Sequence, residues 1–325
     1  MEATALRTCL IGQPGRDHWQ VTVLDELRPI TPAMVEHGRR LIEEWANVFP
    51  LEETWVQREA GLPSLIVRLD CVPDWERNEL QICEIDDRPQ GFGVGGEINY
   101  RFRERFAEVR ASWPRVTVVS CPHRRGGDDY LWTDECRLAE LPADSKTLVV
   151  TRCEPTQTEF WPLAGRAIAP VRTEGDKSYG ERLGWWRTVT RPEDLPGLGQ
   201  GFCLKPTQGS KCQNILIVHP ECGPGASGNK KRRADGTKVS GYSRNQAEAH
   251  LRRHGKLFCQ PFIAPVIAEL ADRGKHNLLY RISYAFCLAT RQWVCLGGTW
   301  FARPYPQLLL HGASDAIVGP VVIGD

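Results

Sequence analysis

Apolar and polar side chains alternate with a period of two through SLIVRLD, residues 64–70, and again through LQICEID, residues 80–86. This pattern predicts two half-buried strands. Leu65, Val67 and Leu69 fall on one face of the first strand, with Ile66, Arg68 and Asp70 on the other, while Glu84 and Asp86 share a face of the second. The polar PDWERN stretch between them makes a turn, although it lacks the Asn-Gly or Asp-Gly pair of a tight hairpin. A turn symmetric about Arg77 sets Asp70 opposite Glu84 and Arg68 opposite Asp86, gathering three carboxylates and a guanidinium in one patch.

The same reading along the chain gives short strands and turns over residues 1–30, then a helix. Thr31 is its N-cap, Pro32 lies in its first turn, and MVEHGRRLIEEWANVF carries apolar residues at helical spacing. RPQGFGVGGE, residues 88–97, reads as a flexible glycine-rich turn, with close approach to phosphates as the alternative. NYRFRERFAEVRASW predicts a helix with a basic face, and RVTVVS, TLVVTR and the short IAPVR segment suggest an α/β layer. DKSYGERLGWWRTV, residues 176–189, reads as a helix before the turn PEDLPGLGQ. GFCLKP and NILIVH are strands around a polar loop, and the basic, glycine-rich residues 221–241 form a mobile stretch. A helix at 243–255 leads into the strand LFCQPFIAP. Two antiparallel strands then meet near Ala289–Arg291, and HGASDAIVGP closes the chain with small residues.

Composition narrows the function classes. A chain of 325 residues can build a large core or two to three packed subdomains, and 41% hydrophobic with 25% charged residues is an ordinary globular balance. With 41 basic against 40 acidic residues, no global field draws the protein to nucleic acid or to an anionic membrane. No run of 18 apolar residues occurs, and the N-terminus has no basic leader followed by an apolar core, so the expectation is a cytoplasmic protein. The 12 cysteines are scattered singly with no C-x-x-C pair, which suits reduced thiols better than disulfides or zinc. Trp185 and Trp186 are packing residues or a pocket wall.

Two explanations compete for the charged hairpin. One is a solvated edge with cross-strand ion pairs of little energetic weight. The other is a hard-cation site, because Mg²⁺ takes oxygen ligands from a few carboxylates together with nucleotide phosphates. Lys205, set inside the apolar strand FCLKP, poses a related question. Its ammonium needs a phosphate partner or must snorkel to water.

Taken in order, RLD, a turn, EIDDRP, Lys177, FCLKPTQGSK, LFCQPF and GGTWFARP resemble ATP-grasp ligases. More narrowly, they are similar to the permuted branch that contains the synthetase domain of glutathionylspermidine synthetase, over residues 64–320. The resemblance implies an α/β (α+β) fold of two subdomains sandwiching a nucleotide, with circularly permuted motif order. It implies an N-terminal region with the metal-binding hairpin (1–125), a pre-nucleotide α/β region (126–200), a nucleotide-binding subdomain with its lid at 221–241 (201–265) and a C-terminal return to the catalytic core (266–325). Asp70, Glu84 and Asp86 would hold Mg²⁺, the aspartate at 86 standing where relatives usually have asparagine. Arg68 would contact the γ-phosphate and Arg303 would steady the transferred group. Lys177 and Lys205 would bind ATP phosphates under the loop carrying Gln208, Gly209 and Ser210. Gln260 and Phe262 would run beside the adenine, and Arg281 would belong to the same cofactor site.

The implied activity joins a small-molecule carboxylate to an amine through an acyl phosphate, releasing ADP and phosphate. A small-molecule kinase and a non-catalytic nucleotide-binding protein are the alternatives. Arg88 and His311 are candidates for a substrate carboxylate.

Overall fold

A computed structural model describes residues 6–11, 19–48, 57–58, 64–87, 89, 91–113, 116–119, 148–151, 167–168, 177–197, 200–207, 215–218, 231–232, 238–239, 243–270, 273–305, 307 and 316–324. The protein is a mixed α+β chain in which sheets dominate. In chain order the elements are β1 (Leu6–Ile11), β2 (Trp19–Leu24), β3 (Arg28–Ile30), α1 (Pro32–Asn47), β4 (Gln57–Arg58), β5 (Ile66–Asp74), β6 (Glu79–Asp86), α2 (Phe92–Ile98), α3 (Tyr100–Ala111), β7 (Val116–Val119), β8 (Leu148–Thr151), β9 (Ala167–Ile168), α4 (Tyr179–Arg182) and β10 (Arg187–Val189). There follow β11 (Phe202–Pro206), β12 (Leu216–Val218), β13 (Lys231–Arg232), β14 (Lys238–Val239), α5 (Arg244–His254), β15 (Leu257–Pro261), β16 (Val266–Glu269), β17 (Lys275–Cys287), β18 (Gln292–Pro304) and β19 (Ile317–Ile323). No described helix is long and apolar enough to cross a membrane.

The chain divides into two compact units. The first comprises residues 1–173, 280–301 and 317–325, and the second comprises 174–279 and 302–316. The largest sheet has the order β1-β2-β19-β18-β17-β5-β6, with β16 also pairing β17 and β3 pairing β19. A separate sheet of short strands, β4-β9-β8-β7, is parallel throughout.

Helix α1 begins as its sequence dictates: the Thr31 side chain accepts from the Met34 N–H at 3.2 Å, and Pro32 sits where no donor is needed. Met34, Gly38, Ile42 and Trp45 form its buried stripe. Beneath it lies the face of β5 and β17 that carries Leu69 and Tyr284; the Tyr284 hydroxyl donates to the Val35 carbonyl at 2.9 Å.

Three stretches differ from the sequence reading, and a fourth had none. The glycine-rich segment is not a turn, because residues 92–98 form helix α2. Val94 and Ile98 bury against Val23, Phe301 and Val318, and that burial outweighs the low helix propensity of glycine. Asn99 then caps α3 by accepting from the Phe102 N–H, while its amide donates to the Val321 carbonyl at 2.8 Å. The helix expected over 176–189 stops after Arg182. Gly184 takes φ of 72°, reversing the chain so that Arg187–Val189 can run as β10. VIAE, to which the sequence reading assigned nothing, is β16. The closing small-residue segment contains β19, which lies inside the main sheet, parallel to β2 at Ile317–Val318 and to β3 at Val321–Ile323. Pro320, which has no N–H to offer, falls where β19 changes partner. Gly319 leaves room for the Trp300 ring, since a Cβ there would come within 2.1 Å of it.

In the second unit the sheet order is β10-β15-β11-β12. One face packs Val189, Phe202, Leu204, Leu216, Val218, Leu257 and Cys259 against Ala247 and Leu251 of α5. Helix α5 starts with a capping box in which the Ser243 N–H donates to Gln246 Oε1 at 2.9 Å.

Candidate functional site

The β5–β6 hairpin pairs Arg68 with Asp86 and Asp70 with Glu84. That register needs a correction within the ladder. Near the turn Cys71 faces Ile82, and the pairing slips by one residue between Asp70 and Cys71, leaving Cys83 as the extra residue of a β-bulge. The bulge changes the phase of β6, so Leu80, Ile82 and Ile85 all face inward while Glu84 and Asp86 face the other side. On the other edge of β5, Arg281 pairs with Asp70 and Ser283 with Arg68. Directly paired residues share a face. One face of three adjacent strands therefore carries Glu84 and Asp86, then Asp70 and Arg68, then Arg281 and Ser283.

On this face Arg68 and Asp70 are buried, while Glu84, Asp86 and Arg281 are half-buried. Arg68 Nε donates to Asp70 Oδ1 at 2.8 Å, and its Nη2 reaches Asp86 Oδ2 at 3.4 Å. Arg281 Nε lies 3.5 Å from the same Asp70 oxygen. Side-chain exposure is 8% for Arg68 and 3% for Asp70, against 27% for Asp86, so the inner pair is not the solvated edge of one sequence alternative. Burial alone would lower the Arg68 pKa. Asp70, Asp86 and Glu84 outweigh it, and the guanidinium is held above its ordinary value. Arg281 also stacks on the Phe301 ring, 4.1 Å from its centroid. Asp87 has a different environment, with Ser64 Oγ donating to it at 3.2 Å.

As a metal site the face fits in chemistry and only partly in arrangement. Its oxygen donors are the hard ligands Mg²⁺ prefers. Yet no described group of three or more His, Cys, Asp or Glu side chains is gathered to hold a metal. Arg68 bridges Asp70 and Asp86 instead.

The second unit holds its own polar group, on the sheet face turned away from α5. Lys205 pairs with Phe258 and Cys203 with Gln260; Thr188 of β10 also pairs with Phe258. Lys205, Gln260 and Thr188 thus share one face. Lys177 lies at the same end: its N–H donates to the carbonyl of Thr207, two residues after Lys205, and Trp186 Nε1 donates to the Lys177 carbonyl. Both lysines are buried. Lys205 Nζ lies 4.7 Å from the centre of the Trp186 ring.

Phe262 follows β15 and its N–H donates to the Gly201 carbonyl at 2.9 Å. Arg303 stands half-buried on β18 and belongs to the second unit. Gln208, Gly209, Ser210, Arg88 and His311 lie outside the described residues. So does the 221–241 segment, except for the two short paired strands β13 and β14.

Three residues escaped the sequence reading. Ser283 sits opposite Arg68, and the alternation of LLYRISYAF could have placed it on the Arg281 face. Thr188 Oγ1 is buried without a hydrogen-bond partner on the Lys205 face. Trp186 contacts both lysines, and only its Trp-Trp doublet marked it beforehand. No protein-family model matches the chain, and no curated protein matches it.

Proposed function

We propose that the protein is an ATP-dependent carboxylate-amine ligase with an ATP-grasp fold in permuted motif order. The carrying observation is the buried guanidinium-carboxylate face of β6, β5 and β17. Burying that many charges side by side is expensive, and a folded protein does not need it for stability, because well-packed apolar residues serve as well. The two buried lysines of the second unit support the same reading, since a triphosphate is a natural partner for them.

In this reading a substrate carboxylate oxygen attacks the γ-phosphorus of ATP, and the bond to the β-γ bridging oxygen breaks to release ADP. The amine then attacks the acyl carbon, and phosphate leaves. Lys177 and Lys205 hold the triphosphate, with Gln260 and Phe262 beside the base. Mg²⁺ on Asp70, Glu84 and Asp86 would supply charge neutralisation. Arg68, released from Asp70, turns to the γ-phosphate as charge spreads over its equatorial oxygens, and Arg303 steadies the transferred group. Arg281 keeps a positive charge on Asp70 after Arg68 leaves.

An ADP-release screen over amino acids, other small carboxylic acids and small amines, with Asp70→Asn beside the wild type, tests the class. The expected result is ADP formed with one acid-amine pair and lost in Asp70→Asn. Added hydroxylamine should trap an acyl hydroxamate; a stable phosphorylated product would reassign the protein as a kinase. ADP release with no pair, or equal release by the variant, would sink the ligase reading. Arg68→Met should lower kcat on the order of a thousandfold with a much smaller change in the KM for ATP. A loss expressed wholly in KM would make Arg68 a binding residue only. A second reading, a purely structural ion-pair cluster, is favoured by the closed Arg68–Asp70 contact. It predicts that Arg68→Met loses stability and no activity.

A further inference from the structure

Trp186 makes three contacts that nothing in its local sequence requires. Its ring lies under the Lys205 ammonium, its indole N–H donates to the Lys177 carbonyl at 3.1 Å, and its ring edge fills the space at Gly180, where a Cβ would fall 1.6 Å from it. Phe258, paired with Lys205 across β11 and β15, lies against the ring at 6.2 Å, and Tyr179 at 5.2 Å. A single rigid side chain thus touches one lysine by its π-face and the other by its N–H. Because Trp has only two side-chain torsions and is wedged on all these sides, the indole ties the Lys177 main chain to the Lys205 ammonium, alongside the bond from the Lys177 N–H to the Thr207 carbonyl.

We propose that Trp186 is the positioning residue that holds Lys177 and Lys205 as one preorganised cradle for the phosphates of a nucleoside triphosphate. This rests on the nucleotide-binding part of the ligase reading and goes beyond it by assigning the geometry of the cradle to one residue. The π-face gives the buried Lys205 ammonium an attractive contact of its own. The two contacts are separable by chemistry. Phenylalanine keeps a ring under Lys205 and removes the N–H to Lys177, whereas leucine removes both.

The test is equilibrium binding of ATP by calorimetry to wild type, Trp186→Phe, Trp186→Leu, Lys177→Met, Lys205→Met and the double variants. Circular dichroism of each serves as the folding control. Trp186→Phe should weaken ATP about tenfold, and Trp186→Leu about a hundredfold. Trp186→Phe should add little to Lys177→Met, since misplacing the main chain at 177 costs no phosphate contact once its ammonium is gone, while remaining additive with Lys205→Met. A merely structural tryptophan would give equal losses in Phe and Leu and strict additivity with both lysines, and that pattern overturns the proposal.

Should Trp186→Leu fail to fold, the cycle between Trp186→Phe and Lys177→Met still decides it. Covalent footprinting of wild-type lysines is a second measure. ATP should protect Lys177 and Lys205 together at one midpoint concentration, and protection of one alone overturns the cradle. ATP binding lost in Lys205→Met but untouched in both Trp186 variants removes the Trp186 role and leaves the ligase reading standing. No ATP binding to the wild type removes both.

Discussion

Cys287 ends β17 where the chain turns toward β18, and hydrogen bonds from the Thr290 hydroxyl and N–H, aided by Ser112, pull its thiol down to about 7. Burial does the opposite to other thiols, pushing Cys259 and Cys295 up to about 11 and Cys71 well above its ordinary value. At pH 7.5, iodoacetamide should therefore alkylate Cys287 before Cys71, Cys259 and Cys295, at a rate that rises through about pH 7. Thr290→Val should move that midpoint upward. Peptide mass spectrometry over a pH series reads both, and labelling of Cys71 first would refute the assignment. At this scale the sequence was informative about Arg68, Asp70, Glu84 and Asp86, because a period of two assigns faces within a hairpin. It was silent on Asp70's second partner, Arg281, whose strand lies far along the chain. It marked Trp186 only as a packing residue or pocket wall, since a Trp-Trp doublet does not say what each ring touches.

The element that carries the hairpin's inner face is α1, and one bond between them is pH-sensitive. His37 Nδ1 accepts from the Leu80 N–H at 2.9 Å, which only the neutral ring can do at that nitrogen. Burial, aided by Arg40 and opposed by Glu79 and Glu44, lowers its pKa below the ordinary 6.5. The unfolded chain therefore takes up a proton near pH 6.5 that the folded chain refuses. Stability contributed by this histidine is present above that pH and falls as pH drops through it, until the folded ring also protonates. Between pH 7.5 and 5.5 the wild-type Tm should decline more steeply than that of His37→Asn, whose side chain can accept the same bond without titrating. Parallel Tm curves would show that His37 is not the group responsible. The helix itself was readable from its cap and stripe. Helix α2 was not, because glycine content suggests a turn until Val94 and Ile98 have a surface to bury against.

For the molecule as a whole, the main sheet is assembled from segments distant in sequence, and the chain passes between the two units within β17 and β18. An acyl phosphate would need protection from water, and the sequence suggests a lid at 221–241, a stretch outside the described residues apart from β13 and β14. Lys230, Lys231, Arg232, Arg233 and Lys238 make that segment a set of trypsin sites. Saturating Mg-ATP should slow cleavage there at least several-fold relative to protein alone, as followed by intact-mass spectrometry. Unchanged cleavage would remove the lid while leaving the lysine cradle untouched.

Periodicity, caps and turn residues are local, so the sequence alone set the α1 and α3 helices, the β5–β6 hairpin and the face its acids share. Tertiary structure decided what those elements meet. It placed β19 beside β2 and β3, set Arg281 against Asp70, and laid Trp186 between Lys177 and Lys205. The reason is physical: a strand's partner and a buried charge's counterion are chosen by competition among distant segments for the same surface. IVGPVVI, with glycine and proline at its centre, carries no local period that could have announced the outcome.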